Sequence, residues 1–408
     1  MRLSIITPTH TPQYLQRLAA SIEDQTFADF DWFIIPNGDC GAVHVRTPEA
    51  RIIPFPSDRK RTIGAVKRYA CEVARGEILV EVDHDDELTP DALMELHQAF
   101  LDPEVDFVYS NWADVRDGKP ATFSEDYGWR YRPFDYRGRV LSEAIAFPPG
   151  SATFSRIWYA PNHVRAWRRS FYEKIGGHNP DMDYLDDQDL MIRSYLAGNV
   201  RHIDKCLYIY HLHEANSFAD SDRNARIQVG TMDLYDRNIY RLVERWADLE
   251  GLRKLDICSG PKPAEGYEGV DMAHGPIFAD LDDCWPFETG SVGVIRAHDA
   301  LEHLRDPIHT MQEAYRVLAP GGWLLTQTPS TDGRGAFQDP THVSYWNENS
   351  FWYYTRAEQA AFIDTPVRFQ AVRVKTFYPN AWCSDHNIPY VAAHLAKPCG
   401  HWPGKMEI

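Results

Sequence analysis

The first hundred residues alternate short apolar runs with stretches whose apolar positions recur every three or four residues. Leu3 to Ile6 reads as a strand, and Tyr14, Leu15, Leu18 and Ile22 mark one face of a helix. Trp32 to Ile35 is a second strand and Arg51 to Ile53 a third. Val66, Tyr69, Ala70 and Val73 form another helical stripe, which Gly76 is expected to end with a left-handed residue. Ile78 to Val82 is then a buried strand whose carboxyl end runs into Asp83. Strands alternating with helices imply a parallel α/β sheet.

Between about residues 112 and 165 the pattern breaks into aromatic, Pro-rich and Gly-rich stretches, including Pro148, Pro149 and Gly150, and reads as a long irregular region with a functional role. From Asp222 to Leu249, a helical stripe runs through Ile227, Leu234, Tyr235, Ile239, Leu242, Trp246 and Leu249. A second α/β series follows, with strands at Leu255 to Cys258 and Val294 to Ala297. Asp306 and Pro307 open a helix as N-cap and first-turn residues. Ile308, Met311, Tyr315 and Leu318 give that helix its apolar face, Gly321 and Gly322 are expected to stop it, and Trp323 to Thr328 is the next strand. The expected organisation is a domain at 1–220, a helical connector at 221–250 and a second domain at 251–408.

Bulk properties narrow the function. A chain of 408 residues is too long for one ordinary core, and 44% hydrophobic content suffices for two. A formal net charge of -17 argues against a general phosphate-backbone binder, which needs clustered cations. One basic cluster exists, Arg59, Lys60, Arg61, Lys67 and Arg68, and reads either as a solvated face or as a local anion site. The seven cysteines (Cys40, Cys71, Cys206, Cys258, Cys284, Cys383, Cys399) are scattered and lack Cys-x-x-Cys spacing, so neither a disulfide framework nor a zinc site is expected. A leader and a membrane-length apolar run are both lacking, which points to a cytoplasmic protein with no integral membrane association.

The candidate chemistry begins at Asp83-His84-Asp85-Asp86, just past a buried strand, where open α/β sheets bind ligands. Two carboxylates one residue apart can converge on Mn2+ or Mg2+, which neutralises a diphosphate leaving group. Around this cluster stand Ser4-Ile5-Ile6-Thr7-Pro8-Thr9, Gln25-Thr26-Phe27, Gly64 to Arg68 and Gly76-Glu77-Ile78. A later block comprises Arg168-Arg169-Ser170, Ile175-Gly176-Gly177-His178, Asp186-Asp187-Gln188-Asp189-Leu190 and Arg193. Together they resemble the inverting family 2 glycosyltransferases of the GT-A fold over about residues 1–215. The resemblance implies a nucleotide-sugar donor and a glycan acceptor. It makes Asp83 and Asp85 the metal and donor-phosphate pair, Asp187 the general base with Asp186 beside it, and Arg68 a neighbour of the donor diphosphate. His213 is an implied further metal ligand, with His211 close enough to compete. Thr7, Pro8 and Asp39 form the implied neighbourhood of the nucleotide base, although Asn37-Gly38-Asp39 stands where relatives often have Asp-Asp-Gly-Ser.

In the second series, Leu255-Asp256-Ile257-Cys258-Ser259-Gly260-Pro261-Lys262-Pro263 followed by Gly269-Val270-Asp271 has the order strand, tight loop, strand-end acid. Asp280-Leu281, Trp285-Pro286-Phe287, Leu301-Glu302-His303-Leu304, Pro320-Gly321-Gly322 and Asp339-Pro340-Thr341-His342 follow. The series resembles a small class I, Rossmann-like S-adenosylmethionine-dependent methyltransferase over about residues 252–396. The resemblance implies that Asp256, Ser259 and Gly260 line the methionine side of S-adenosylmethionine, Asp271 its ribose, and Asp280 with Leu281 its adenine. Cys258 takes the place of the first glycine of Gly-x-Gly, and the stretch from Gly260 to Asp271 is too short for the usual intervening helix. Methyl transfer to a sugar hydroxyl needs a base near neutral pH, for which His303 and His342 are the candidates.

The expectation is a bifunctional enzyme that transfers a sugar and O-methylates a sugar hydroxyl. Its rivals are a non-catalytic carbohydrate-binding scaffold and a glycosyltransferase of nucleic-acid bases. Intact Asp83, Asp85, Asp187 and Asp271 speak against the first, and the acidic charge against the second.

Overall fold

The computed structural model describes residues 1–213 and 221–404. The chain divides into two compact units, Met1–Leu242 and Val243–Ile408.

In the first unit the strands are β1 (Leu3–Thr9), β2 (Phe30–Pro36), β3 (Ala50–Ile52), β4 (Ile78–Glu81), β5 (Glu87–Leu88), β6 (Phe107–Arg116), β7 (Lys119–Ala121), β8 (Arg130–Tyr136), β9 (Arg139–Ile145), β10 (Arg165–Arg168) and β11 (Val200–Leu212). Its helices are α1 (Leu15–Glu23), α2 (Ile63–Val73), α3 (Ala92–Phe100), α4 (Ser151–Ser155), α5 (Arg169–Lys174) and α6 (Asp186–Ala197). The main sheet runs β3-β2-β1-β4-β10-β6-β11-β5. Strands β3, β2, β1 and β4 are mutually parallel, whereas β10 is antiparallel to both β4 and β6. Almost every residue of β1, β2 and β4 is buried, as parallel strands covered on both faces require.

Two expectations change here. Gly76 is not left-handed: a Cβ on it would stand 2.7 Å from the backbone of Arg2, Leu3 and Ser4, so the glycine permits a close backbone crossing instead. The stretch from 112 to 165 is not irregular throughout. It holds the end of β6 and the hairpins β6–β7 and β8–β9. Both hairpins turn on two residues with positive φ, Asp117-Gly118 (51° and 74°) and Arg137-Gly138 (52° and 73°), the geometry that matches strand twist.

The second unit contains β12 (Arg253–Ile257), β13 (Glu268–Asp271), β14 (Ile277–Phe278), β15 (Val292–His298), β16 (Leu318–Pro329), β17 (Gln370–Phe377) and β18 (Tyr390–Ala396). Their order is β14-β13-β12-β15-β16-β18-β17, parallel except for β18, which is antiparallel to both neighbours. No helix joins β12 to β13, in keeping with the short spacing. Between β15 and β16, helix α8 (Pro307–Val317; α7 is described below) is capped by Asp306, which accepts from the amides of Ile308 and His309. Gly321 and Gly322 lie inside β16 rather than ending the helix, which already stops at Val317.

Helix α7 (Ser221–Leu249) is 29 residues long and contains the boundary between the units. Leu234, Tyr235, Ile239, Leu242, Val243 and Ala247 are its buried apolar positions, recurring at helical spacing, and Thr231 is buried with them. Within the first unit Arg156 lies over the Tyr235 ring at 5.2 Å.

Candidate functional site

The acidic cluster sits between β4 and β5, and β11 closes it from the far side. Tyr208 donates to Asp86 Oδ2 (2.8 Å) and accepts from the Asp83 amide (3.1 Å), while the His211 amide donates to Asp86 Oδ1 (2.7 Å). Asp86 is therefore the brace of this loop, and burial pushes its carboxyl up. His211 Nε2 pairs with Glu87 Oε1 at 2.8 Å, whereas His213 Nε2 reaches Asp85 Oδ2 at 2.7 Å. The two rival histidines thus have different partners. Asp83 turns the other way, its Oδ2 lying 3.2 Å from His163 Nε2. Burial opposes the Asp83 charge, but His163 and Lys67 outweigh it and hold the carboxyl below its ordinary range. Ligand atoms of Glu81, Asp83 and His163 lie within 4.8 Å of one another, and that niche already holds the Lys67 ammonium, 2.6 Å from Glu81.

Behind Asp83 lies a buried ionic network. Lys67 reaches Asp186 at 3.5 Å, and His178 approaches both Glu81 (3.4 Å) and Asp186 (3.8 Å). Arg165, from β10, donates to Asp187 Oδ2 at 3.1 Å. The two neighbouring aspartates at the start of α6 differ in access: the Asp186 side chain is 5% exposed and that of Asp187 22%. Burial pushes Asp186 up; at Asp187 burial is overcome by Arg165 and Lys67, which keep the carboxylate ionised.

The expected donor-side residues are more dispersed. Thr7 is fully buried and its hydroxyl accepts from the Trp32 indole at 3.0 Å, so of this pair only the half-buried Pro8 has surface to meet a ligand. Asp39 is exposed beyond β2. Arg68 spends its guanidinium on Glu72 (3.3 Å) and on the carbonyls of Gly176 (3.1 Å) and His178 (3.5 Å). Four of the five cations of the basic cluster are paired, Arg59 and Arg68 with Glu72, Lys60 with Asp181 and Lys67 with Glu81, while Arg61 is exposed.

In the second unit the strand-end acid anchors the loop. Asp271 accepts from the amides of Gly260 (2.9 Å), Ala273 (2.8 Å) and His274 (3.0 Å); against the cost of burial, these bonds draw its carboxyl down. Cys258 and Gly260 both have positive φ, 51° and 58°, so cysteine occupies a left-handed position that glycine would fill without strain. Ser259 packs against Gly269, where an added Cβ would stand 2.7 Å from its Oγ. Asp256 is buried and held by Arg296 (2.7 Å) and the Ala264 amide (2.8 Å), making it a brace of the loop. Leu281 is buried and Asp280 exposed, capping the turn at Asp282. His303 and His342 come together with ring centroids 5.1 Å apart.

Residues 4–159 match the family model for glycosyl transferase family 2, and residues 233–363 match a methyltransferase domain model. The chain joins a family 2 glycosyltransferase domain to a methyltransferase domain. Both are transferase domains, and the chain is an enzyme. It is 22% identical over 261 residues to chondroitin synthase of Escherichia coli, a match covering 62% of this chain and 33% of that protein. It is 35% identical over 85 residues to a "probable S-adenosylmethionine-dependent methyltransferase" of Mycolicibacterium smegmatis, covering 20% of this chain and 31% of the other. The chain thus spans about a third of the length of each. Among solved structures, TarS 1-349 of S. aureus aligns with a TM-score of 0.41 and 14% identity, over 61% of this chain and 72% of that one.

Sequence reasoning missed the partners of the glycosyltransferase site: Glu81, His163, Arg165 and the buried role of Lys67. One signal was present. Glu81 interrupts the otherwise apolar strand Ile78 to Val82, and a carboxylate in a fully buried strand must be paired. His163 and Arg165 lay in the stretch read as irregular, where no pattern ties them to β4. Among the described residues, no helix is long and apolar enough to cross a membrane.

Proposed function

We propose that the glycosyltransferase domain transfers a sugar from a nucleotide-sugar donor to a glycan acceptor with inversion, and that the methyltransferase domain O-methylates a sugar hydroxyl with S-adenosylmethionine. The observation that carries the first half is the contact of Asp85 with His213 at 2.7 Å, two residues from Asp83 at the carboxyl end of β4. An oxygen and a nitrogen donor together suit Mn2+ better than Mg2+, which prefers oxygen alone. Such an ion supplies charge for the departing diphosphate. Asp187 is the base: ionised by Arg165 and more accessible than Asp186, it takes the proton of the acceptor hydroxyl. The second half rests on the loop that Asp271 ties to Gly260, at the carboxyl ends of parallel strands, with His303 and His342 beyond the same sheet edge. Seven free cysteines suit a reducing, cytoplasmic setting.

The test is steady-state kinetics of Asp187→Asn with a panel of nucleotide sugars and Mn2+. Turnover is expected to fall by roughly 10²- to 10⁴-fold at nearly unchanged donor KM. Weakened donor binding with turnover spared would remove Asp187 from the role of base. Asp85→Asn should abolish transfer, and full activity of that variant in EDTA would end the metal assignment.

A further inference from the structure

The turn after β15 and the segment after β16 are stitched together more tightly than a loop crossing requires. The Val343 and Ser344 amides donate to the Glu302 carbonyl (2.8 and 3.1 Å), and Ser344 Oγ donates to the Leu301 carbonyl (2.7 Å). Three side chains meet at this seam: ligand atoms of Glu302, His303 and His342 lie within 4.8 Å of one another. Each imidazole has its Nδ1 beside a backbone carbonyl, Thr341 O at 3.2 Å for His303 and Ala336 O at 3.0 Å for His342. A carbonyl only accepts, so Nδ1 carries the hydrogen and Nε2 keeps its lone pair. That is how a protein sets the tautomer of a metal-ligating histidine. Glu302 is 2% exposed; Thr328 donates to its Oε2 at 2.6 Å, while its buried Oε1 has no hydrogen-bond partner among the described residues. A buried carboxylate oxygen left unmatched is costly unless a proton or a cation meets it.

We propose that Glu302, His303 and His342 form a divalent-cation site in the methyltransferase domain, separate from the Asp85–His213 pair. Two imidazole nitrogens and one carboxylate oxygen select a first-row ion such as Mn2+, Fe2+, Co2+ or Zn2+ over Mg2+ or Ca2+. The site's existence stands on these contacts alone; its purpose rests on the methyltransferase reading. The seam lies past the carboxyl ends of β15 and β16, the same edge of parallel strands that carries Asp271 and the Cys258–Gly260 loop. There the ion would bind the acceptor sugar hydroxyl and lower its pKa. The alkoxide oxygen then forms the new C–O bond, the sulfonium C–S bond breaks with its electron pair going to sulfur, and the hydroxyl proton leaves to water. Phe337 and Tyr345, exposed and stacked at 5.2 Å on the same segment, offer an apolar face to a sugar ring.

The experiment is a cobalt(II) titration of the tag-free, chelator-stripped full chain, followed by visible absorption and by equilibrium dialysis. The unaltered protein should bind one ion more per chain than His303→Ala/His342→Ala, with visible bands that vanish in that variant. Each single histidine variant should weaken this ion at least about tenfold, and Asp85→Asn should retain it. Equal cobalt stoichiometry and spectra in the unaltered protein and the double variant would overturn the site. Binding of S-adenosylmethionine to the double variant, by calorimetry, verifies that it is folded. Full methyl transfer by the stripped protein would overturn the ion's purpose while sparing the methyltransferase reading. A lack of S-adenosylmethionine binding by the unaltered protein would defeat that reading, and the cobalt count would still decide the site.

Discussion

Asp186 and Asp187 are adjacent in sequence, yet burial assigns them opposite duties. Asp186 faces Lys67 and His178 in the interior and burial pushes its carboxyl up, whereas Asp187 is drawn down beside the buried Arg165, so near neutral pH Asp187→Asn should lower the unfolding midpoint more than Asp186→Asn does. Calorimetry of the two variants compares them, and a lower midpoint for Asp186→Asn would contradict this ranking. A third carboxylate behaves differently. Burial pushes Asp114 up to about 7 from an ordinary 3.8, with the Trp112 indole (2.9 Å) and Arg116 drawing it back. A raised carboxyl favours folding below its unfolded value and penalises it as pH rises through the folded one. Asp114→Asn should therefore raise the midpoint of the first unit, with a gain that grows from about pH 4 to pH 7 and reaches on the order of 4 kcal/mol at most. A gain that shrinks over that range would contradict the sign. The acidic motif residues were legible in sequence because spacing carries them. Their partners His163 and Arg165 were not, because pairing across β10 is a property of sheet order.

At the level of elements, a strand or loop end holds each candidate site in place. Strand β11 fixes the acidic loop through Tyr208 and His211, and β13 fixes the cofactor loop through Asp271. Asp271→Ala removes the acceptor for three backbone amides and should abolish S-adenosylmethionine binding in calorimetry. Asp271→Asn keeps one oxygen and should lose less. If the two variants bound equally well, the carboxylate would not be the anchor. The periodic elements were readable from sequence: β1, β2, β4, α1, α2 and α7 all fall where the apolar spacing puts them. The hairpins β6–β7 and β8–β9 were hidden for two reasons. Asp117-Gly118 is a strong turn signal, but the strands beside it are rich in aromatics and charges rather than alternating cleanly. Arg137-Gly138 lacks the Asn or Asp that usually marks such a turn.

For the whole molecule, each unit has its own sheet, and the boundary between the units falls inside α7. Tyr235, Ile239 and Leu242, on the first unit's side of that boundary, are fully buried, as are Val243 and Ala247 beyond it. Burying the first three side chains contributes roughly 5 to 9 kcal/mol, which rivals the net stability of an ordinary domain. A chain ended at residue 220 should consequently unfold well below one ended at residue 249, as thermal melts of the two fragments would reveal; equal midpoints would mean that the helix is dispensable. If the domains act in sequence, Asp271→Ala should accumulate unmethylated glycosylated product by mass spectrometry, and Asp187→Asn no methylated species at all. Methylation of the bare acceptor by the second variant would reverse that order. Helix α7 also bears on descent. A recombination event that separated the two domains by a break inside codons 221 to 249 would leave each daughter part of an amphipathic stripe facing water. Once such a helix is shared, fission is selected against at the level of solubility, so the pair is expected to travel through lineages as one reading frame.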